Sequence, residues 1–169
     1  MKSISTKSKL LFSLALLAIG ISSCDQTVKQ APTQAPAVSE TIFPKGELID
    51  TSHFTGGTAF VNWIQRADST SPYDIQLASV IYDKNTRTKW HYHPTGQILM
   101  VLDGIGYYQE KGKAKQILKK GDVAKCPPNL PHWHGSSPES TVNYLAVGPN
   151  ISKGGVKWLQ PVTAEEYNK

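Results

Sequence analysis

Cysteine is scarce in this chain of 169 residues: there are two, Cys24 and Cys126. Once Cys24 is used elsewhere, as argued below, Cys126 has no partner for an intramolecular disulfide. Without a companion cysteine it is also a poor metal-ligand candidate, so a buried inert thiol is expected there. Long apolar runs are lacking too. The longest, Leu10 to Ile21, is too short for a permanent membrane span. No basic stripe suited to nucleic acid occurs. The densest cluster, Lys111, Lys113, Lys115, Lys119 and Lys120, is interrupted by Gly and small residues and reads as a solvated hairpin edge. No internal repeat is present.

The apolar run does have the grammar of a leader. Lys2, Lys7 and Lys9 precede it, and Ile21-Ser22-Ser23-Cys24 closes it. Residues 1–23 are therefore expected to be a bacterial signal peptide, and the closing residues resemble a lipoprotein processing site at which Cys24 is lipidated. Residues 24–41 then form a linker with no aromatic residue and two prolines, a disordered tether reaching about 50 Å. Membrane contact is expected only through the lipid anchor, in the cell envelope. Removing the leader leaves 15 basic against 13 acidic residues, net +2 instead of +5, so the pI of 9.1 overstates the basicity of the mature chain.

Residues 42–169 carry the domain. Thr58 to Ile64, Ile75 to Tyr82 and Thr141 to Val147 are rich in β-branched and aromatic residues, and turn residues recur every eight to twelve positions. The segments Tyr107 to Gln109 and Gln116 to Leu118 pair as a hairpin across Lys111-Gly112-Lys113. Only the end reads as a helix, short and capped by Thr163 with Glu166 three positions on. An all-β barrel or sandwich follows, and its exposed edges favour a homodimer.

Four of the five histidines occur as two H-x-H pairs, His91/His93 and His132/His134. On a strand, residues i and i+2 share a face, so each pair projects two imidazoles into one space. After the first pair, Pro94-Thr95-Gly96 break the run and Gln97 restarts it, with Gly104 closing the strand. Before the second pair come Gly121-Asp122-Val123 and a bend at Pro127-Pro128-Asn129. This paired arrangement resembles the motifs of the cupin superfamily. Gln97, where most cupins carry Glu, and His132-Trp133-His134-Gly135 narrow the similarity to single-domain bacterial cupins of the manganese-dependent hydroxynitrile lyase and carboxymuconolactone decarboxylase-associated kind.

The resemblance implies a single cupin barrel, a double-stranded β-helix or jelly roll with a short C-terminal helix. It implies one divalent metal held by His91, His93, Gln97 and His132: manganese first, with iron, nickel or zinc as alternatives. Such a donor set suits borderline first-row ions, and its neutrality leaves the metal charge uncompensated by the ligands, favouring anionic partners. His134 faces the same interior if its strand continues. Two roles are open for it: general base on a bound substrate, or a packing histidine beside Trp133 or Tyr144. The resemblance also implies Ala78 and Val80 as pocket walls, and it places Tyr144 where the lyases carry a further histidine; a tyrosine is a poor base near neutrality. His53 has no partner in the sequence and is expected at the surface or an interface.

The function expected is lyase or isomerase chemistry on a small carbonyl, cyanohydrin or hydroxy compound. Ring-opening of unsaturated uronates, metal-dependent dioxygenation, and non-catalytic binding of a metal or small ligand are the alternatives.

Overall fold

The computed structural model describes residues 41–66 and 71–169. The expected leader, the lipidation site Cys24 and the tether as far as residue 40 lie outside the described residues. Within them, twelve strands run in chain order: β1 (Glu47–Leu48), β2 (Phe54–Thr55), β3 (Ala59–Gln65), β4 (Ile75–Tyr82), β5 (Arg87–Thr88), β6 (His91–Tyr92), β7 (Gln97–Glu110), β8 (Gln116–Lys119), β9 (Val123–Cys126), β10 (His132–Ser136), β11 (Val142–Pro149) and β12 (Lys157–Trp158). A single helix, α1 (Ala164–Asn168), follows.

All pairings are antiparallel, in the order β1-β3-β4-β11-β7-β10-β5-β2, with β8 and β9 also on β7, β6 on β10 and β12 on β6. The result is a curled half-barrel, and β7 is its hinge. Its first half pairs with β11 and β9, and its second half with β10 and β8. The change falls at Gly104, in a left-handed conformation (φ 81°) where a Cβ would stand 2.0 Å from the Thr141 carbonyl oxygen. Only glycine fits such a backbone and such an approach. The bend at Asn129 is left-handed as well (φ 59°), a conformation asparagine tolerates.

The expected strands are present. The segment at 75–82 has the predicted bounds, and its neighbours lie within one or two residues of theirs. The hairpin registers Tyr107 opposite Ile117 and Tyr108 opposite Gln116.

Two apolar clusters lie on opposite sides of the sheet. Inside the curl, Leu99, Val101, Tyr108, Ala124, Cys126, Val142 and Tyr144 form the main core. Outside it, Trp90, Trp133, Val162 and Tyr167 form a second cluster beneath α1. All five residues of β10 are consequently buried, its inward side chains in the barrel and its outward Trp133 under the helix.

Thr163 and Glu166 make the predicted reciprocal cap of α1. The Tyr167 hydroxyl donates to the Ser136 carbonyl at 2.8 Å. The lysine cluster forms the solvated edge that the sequence suggests, with Lys111, Lys113, Lys119 and Lys120 exposed, and two members also reach back: Lys111 bonds Glu166 and covers Trp90, while Lys115 donates to the Tyr167 carbonyl and covers Tyr107. The aliphatic stems of these residues and their cation–π contacts help to fix α1.

Candidate metal centre

The two H-x-H pairs meet through a direct register contact: His91 on β6 stands opposite His132 on β10. Strand alternation then brings His93 and His134 to the same interior. One ligand nitrogen from each of His91, His93 and His132 lies within 4.8 Å of the others. The rings of His91 and His132 are 4.4 Å apart, and those of His91 and His93 are 5.3 Å apart.

Two of these rings are oriented from behind. His91 Nδ1 and His132 Nδ1 lie 3.0 Å from the carbonyl oxygens of Lys89 and Leu130. A carbonyl accepts only from N–H, so each Nδ1 carries the proton and each Nε2 keeps a lone pair. His132 Nε2 and His93 Nε2 are buried without any hydrogen-bond partner. Orphaned ring nitrogens of this kind, converging within a few ångströms, are costly unless something fills the space between them, and a divalent ion fits that requirement.

The imidazoles are kept neutral. Burial foremost, and then the neighbouring His132 and His134, hold His91 well below its ordinary range. Burial and His132 bring His93 down to about 4. Burial lowers His132 too, against the opposing effects of the Leu130 carbonyl and Glu110. Protons therefore compete weakly with a metal at neutral pH.

A cavity of about 350 Å³ opens beside this cluster. His91, His93, Gln97 and His134 border it, and Ala78, Val80 and Tyr144 contribute to its wall. Gln97 heads β7, where its Oε1 lies 4.0 Å from Cys126 Sγ. Cys126 is buried and free, and burial pushes its thiol up to about 12, as an inert core thiol requires. His132 is fully buried behind the cavity wall.

His134 sits 5.1 Å from the His91 ring and is edge-on to Tyr82 and Tyr144. Its Nδ1 is buried without a partner. Burial, and then His132 and His93, hold its imidazole well below the ordinary value. Tyr144 is committed elsewhere: its hydroxyl donates to the Gly135 carbonyl at 3.0 Å, and burial moves its pKa well above 10.

His53, expected at the surface or an interface, is half-buried. It borders the cavity and stacks on Trp158 at 4.4 Å with the rings 7° from parallel, and Trp158 in turn lies 4.9 Å from the His91 ring. Neither residue belongs to a motif. Their one sequence signal is that His53 is the histidine left over from the two pairs.

The wall above the histidines is largely apolar, with Ile49, Phe54, Val61, Trp63 and Leu99, and no Lys, Arg, Asp or Glu borders the cavity among the described residues.

Residues 78–148 match the cupin domain family. The (R)-mandelonitrile lyase of Granulicella tundricola is 35% identical over 116 residues, covering 69% of this chain and 86% of that protein. The crystal structure of a cupin-like protein from Thermotoga maritima superposes with a TM-score of 0.72 at 40% identity, covering 76% of this chain and 96% of the other. A DMSP lyase from Ruegeria pomeroyi shares the fold alone, with a TM-score of 0.53 at 16% identity over 67% of this chain and 55% of that one. A curled antiparallel half-barrel, imidazoles converging from two H-x-H strands, and identity of this extent along most of a relative's length agree, and the chain belongs to the cupin family.

Proposed function

We propose that this cupin is a metal-dependent lyase that cleaves a small hydroxy compound of the cyanohydrin kind into a carbonyl product and a released anion. The observation that carries the reading is the position of His134, a neutral non-ligand imidazole that borders the cavity beside three convergent ones. The relationship to a mandelonitrile lyase supports it.

His91, His93, His132 and Gln97 would hold the ion, with manganese the first choice and iron, nickel or zinc the alternatives. A bound divalent ion would supply Lewis acidity, lowering the pKa of a substrate hydroxyl. His134 takes the hydroxyl proton. The electrons of the O–H bond form the carbonyl, the bond from the hydroxyl carbon to the leaving group breaks, and the leaving anion carries off its pair and then the proton from His134. The His134 backbone N–H donates to Thr88 Oγ1 at 3.2 Å, fixing the strand from which the ring projects. Tyr144 shapes the wall and holds its proton. Ile49, Phe54 and Trp63 exclude water and accept an apolar substrate body.

A cavity without cationic side chains does not favour unsaturated uronates, whose carboxylates call for Arg or Lys. His134→Ala tests the proposal. Metal content is expected to remain at the wild-type level, while kcat/KM for cyanohydrins falls by about 10²–10⁴-fold, the range for loss of a general base. Unchanged turnover in the variant would remove His134 as the base, and no turnover in the metal-loaded wild type across aromatic and aliphatic cyanohydrins would favour the non-catalytic binding role instead.

The proposal extends to placement: a homodimer held in the cell envelope by a lipid on Cys24. Light scattering and the mass of the processed amino terminus check the two parts.

A further inference from the structure

The three imidazoles and the Gln97 carboxamide carry no charge, so an ion held by them keeps its full positive charge as far as its ligands are concerned. A fixed negative charge nevertheless stands next to them. In the antiparallel pairing of β7 with β10, Glu110 lies directly opposite His132 and Tyr108 directly opposite His134, so these four side chains form a two-by-two array on one face of the sheet. Glu110 is 6% exposed and is the one buried carboxylate among the described residues.

Its two oxygens meet different partners. Oε1 accepts from the Tyr108 hydroxyl at 3.1 Å. Oε2 forms an ion pair with Lys113 Nζ at 2.5 Å but makes no hydrogen bond of normal geometry. Lys113 holds the carboxyl below its usual range against the effect of burial, so the group is an anion at neutral pH. The Lys113 side chain is 64% exposed, and an ion pair at its level could be made equally well in solvent. The surface partner therefore does not account for a carboxylate set inward against a histidine. Its place directly across the strand pair from His132 does, since a fixed charge there stands one side chain away from the proposed centre.

We infer that Glu110 is an electrostatic partner of the metal centre, its carboxylate supplying from across the strand pair, without a hydrogen bond to a ligand, the countercharge that the neutral ligands lack. The inference rests on the metal-centred reading above. An outer anion of this kind has two opposed effects: it tightens binding of the cation and loosens binding of any anion that shares the site. Lys113, the positive partner, acts in the reverse sense on both.

The test is titration of the full chain with Mn²⁺, read from the free-ion EPR signal, followed by azide titration of the loaded protein. Glu110→Gln keeps an acceptor for Tyr108 and removes the charge. It is expected to raise the Mn²⁺ Kd about tenfold, at the low end for loss of an outer partner, and to tighten azide binding. Lys113→Gln is expected to shift both constants the other way, and Glu110→Asp to stay near wild type for Mn²⁺. Opposite signs distinguish a charge effect from loosened packing, and the Lys113 arm decides the matter should Glu110→Gln fail to fold. Equal Mn²⁺ affinity in the wild type and both neutral variants, or weakening in both, overturns the role of Glu110 alone. Failure of the wild type to bind any divalent ion overturns the metal-centred reading and this inference together.

Discussion

At the scale of single residues, the proposed ligand set puts a neutral carboxamide at position 97, where a charge can be introduced. Substituting Gln97→Glu adds a negative charge at the cavity wall, so the variant is expected to retain Mn²⁺ and to bind azide or acetate several-fold more weakly. Calorimetric titration with azide checks this; an unchanged affinity would show that residue 97 does not reach the ion. The residues around it were unequally legible. His91, His93, His132 and His134 could be read because a two-residue period is a local property, and the direct pairing of His91 with His132 brings the two periods together. His53 could not be read, because it enters the cavity through a short 3-10 turn and the pairing of β2 with β5, contacts with no local sign. Tyr144 was legible as a wall residue. The loss of its hydroxyl to the Gly135 carbonyl depends on a strand crossing that the sequence does not display.

At the scale of elements, that crossing is made possible by Gly106 on β7. A Cβ there would lie 2.0 Å from the Tyr144 hydroxyl and 2.6 Å from its ring carbon, and Tyr144 is fully buried, with no room to turn aside. Gly106→Ala is therefore expected to destabilise the chain by about 1–3 kcal/mol, the usual cost of overpacking. Tyr144→Phe in that background is expected to recover part of the loss by removing the nearest atom. Urea denaturation of the two variants measures both effects. Strand boundaries were readable here because turn residues punctuate the segments closely. The solvated lysine hairpin was legible, but the rings beneath Lys111 and Lys115 were not, because Trp90, Tyr107 and Tyr167 come from three separate segments. Composition identifies a cation as mobile and wet until the fold brings a ring beneath it.

At the scale of the molecule, the centre ties folding to acidity. An unfolded histidine titrates near 6.5, whereas His93 in the fold is held at about 4 and His91, His132 and His134 are also lowered. Above the unfolded value both states are neutral and the shift has no effect on stability. As pH falls through it, the unfolded chain gains protons that the fold refuses, so stability declines until the folded histidines titrate in turn. Each histidine contributes a slope of about 1.4 kcal/mol per pH unit within that window. The metal-free chain is thus expected to lose Tm steadily from pH 6.5 towards pH 4 and to be insensitive to pH just above that range. Mn²⁺ at a hundredfold excess over its Kd is expected to add about 2.7 kcal/mol at neutral pH, and less in acid as protons displace it. Calorimetric scans with and without chelator check both statements; a Tm indifferent to chelator would show that no ion belongs to the fold.

His132 and His134 project inward from β10, and Trp133 between them rests on Tyr167 of α1. The proposed cage is thus braced from outside the barrel by a helix of five residues. Such a brace makes the grip on an ion depend on a segment that touches none of it: deleting residues 162–169 is expected to cost Mn²⁺ retention after dialysis although every proposed ligand is still present.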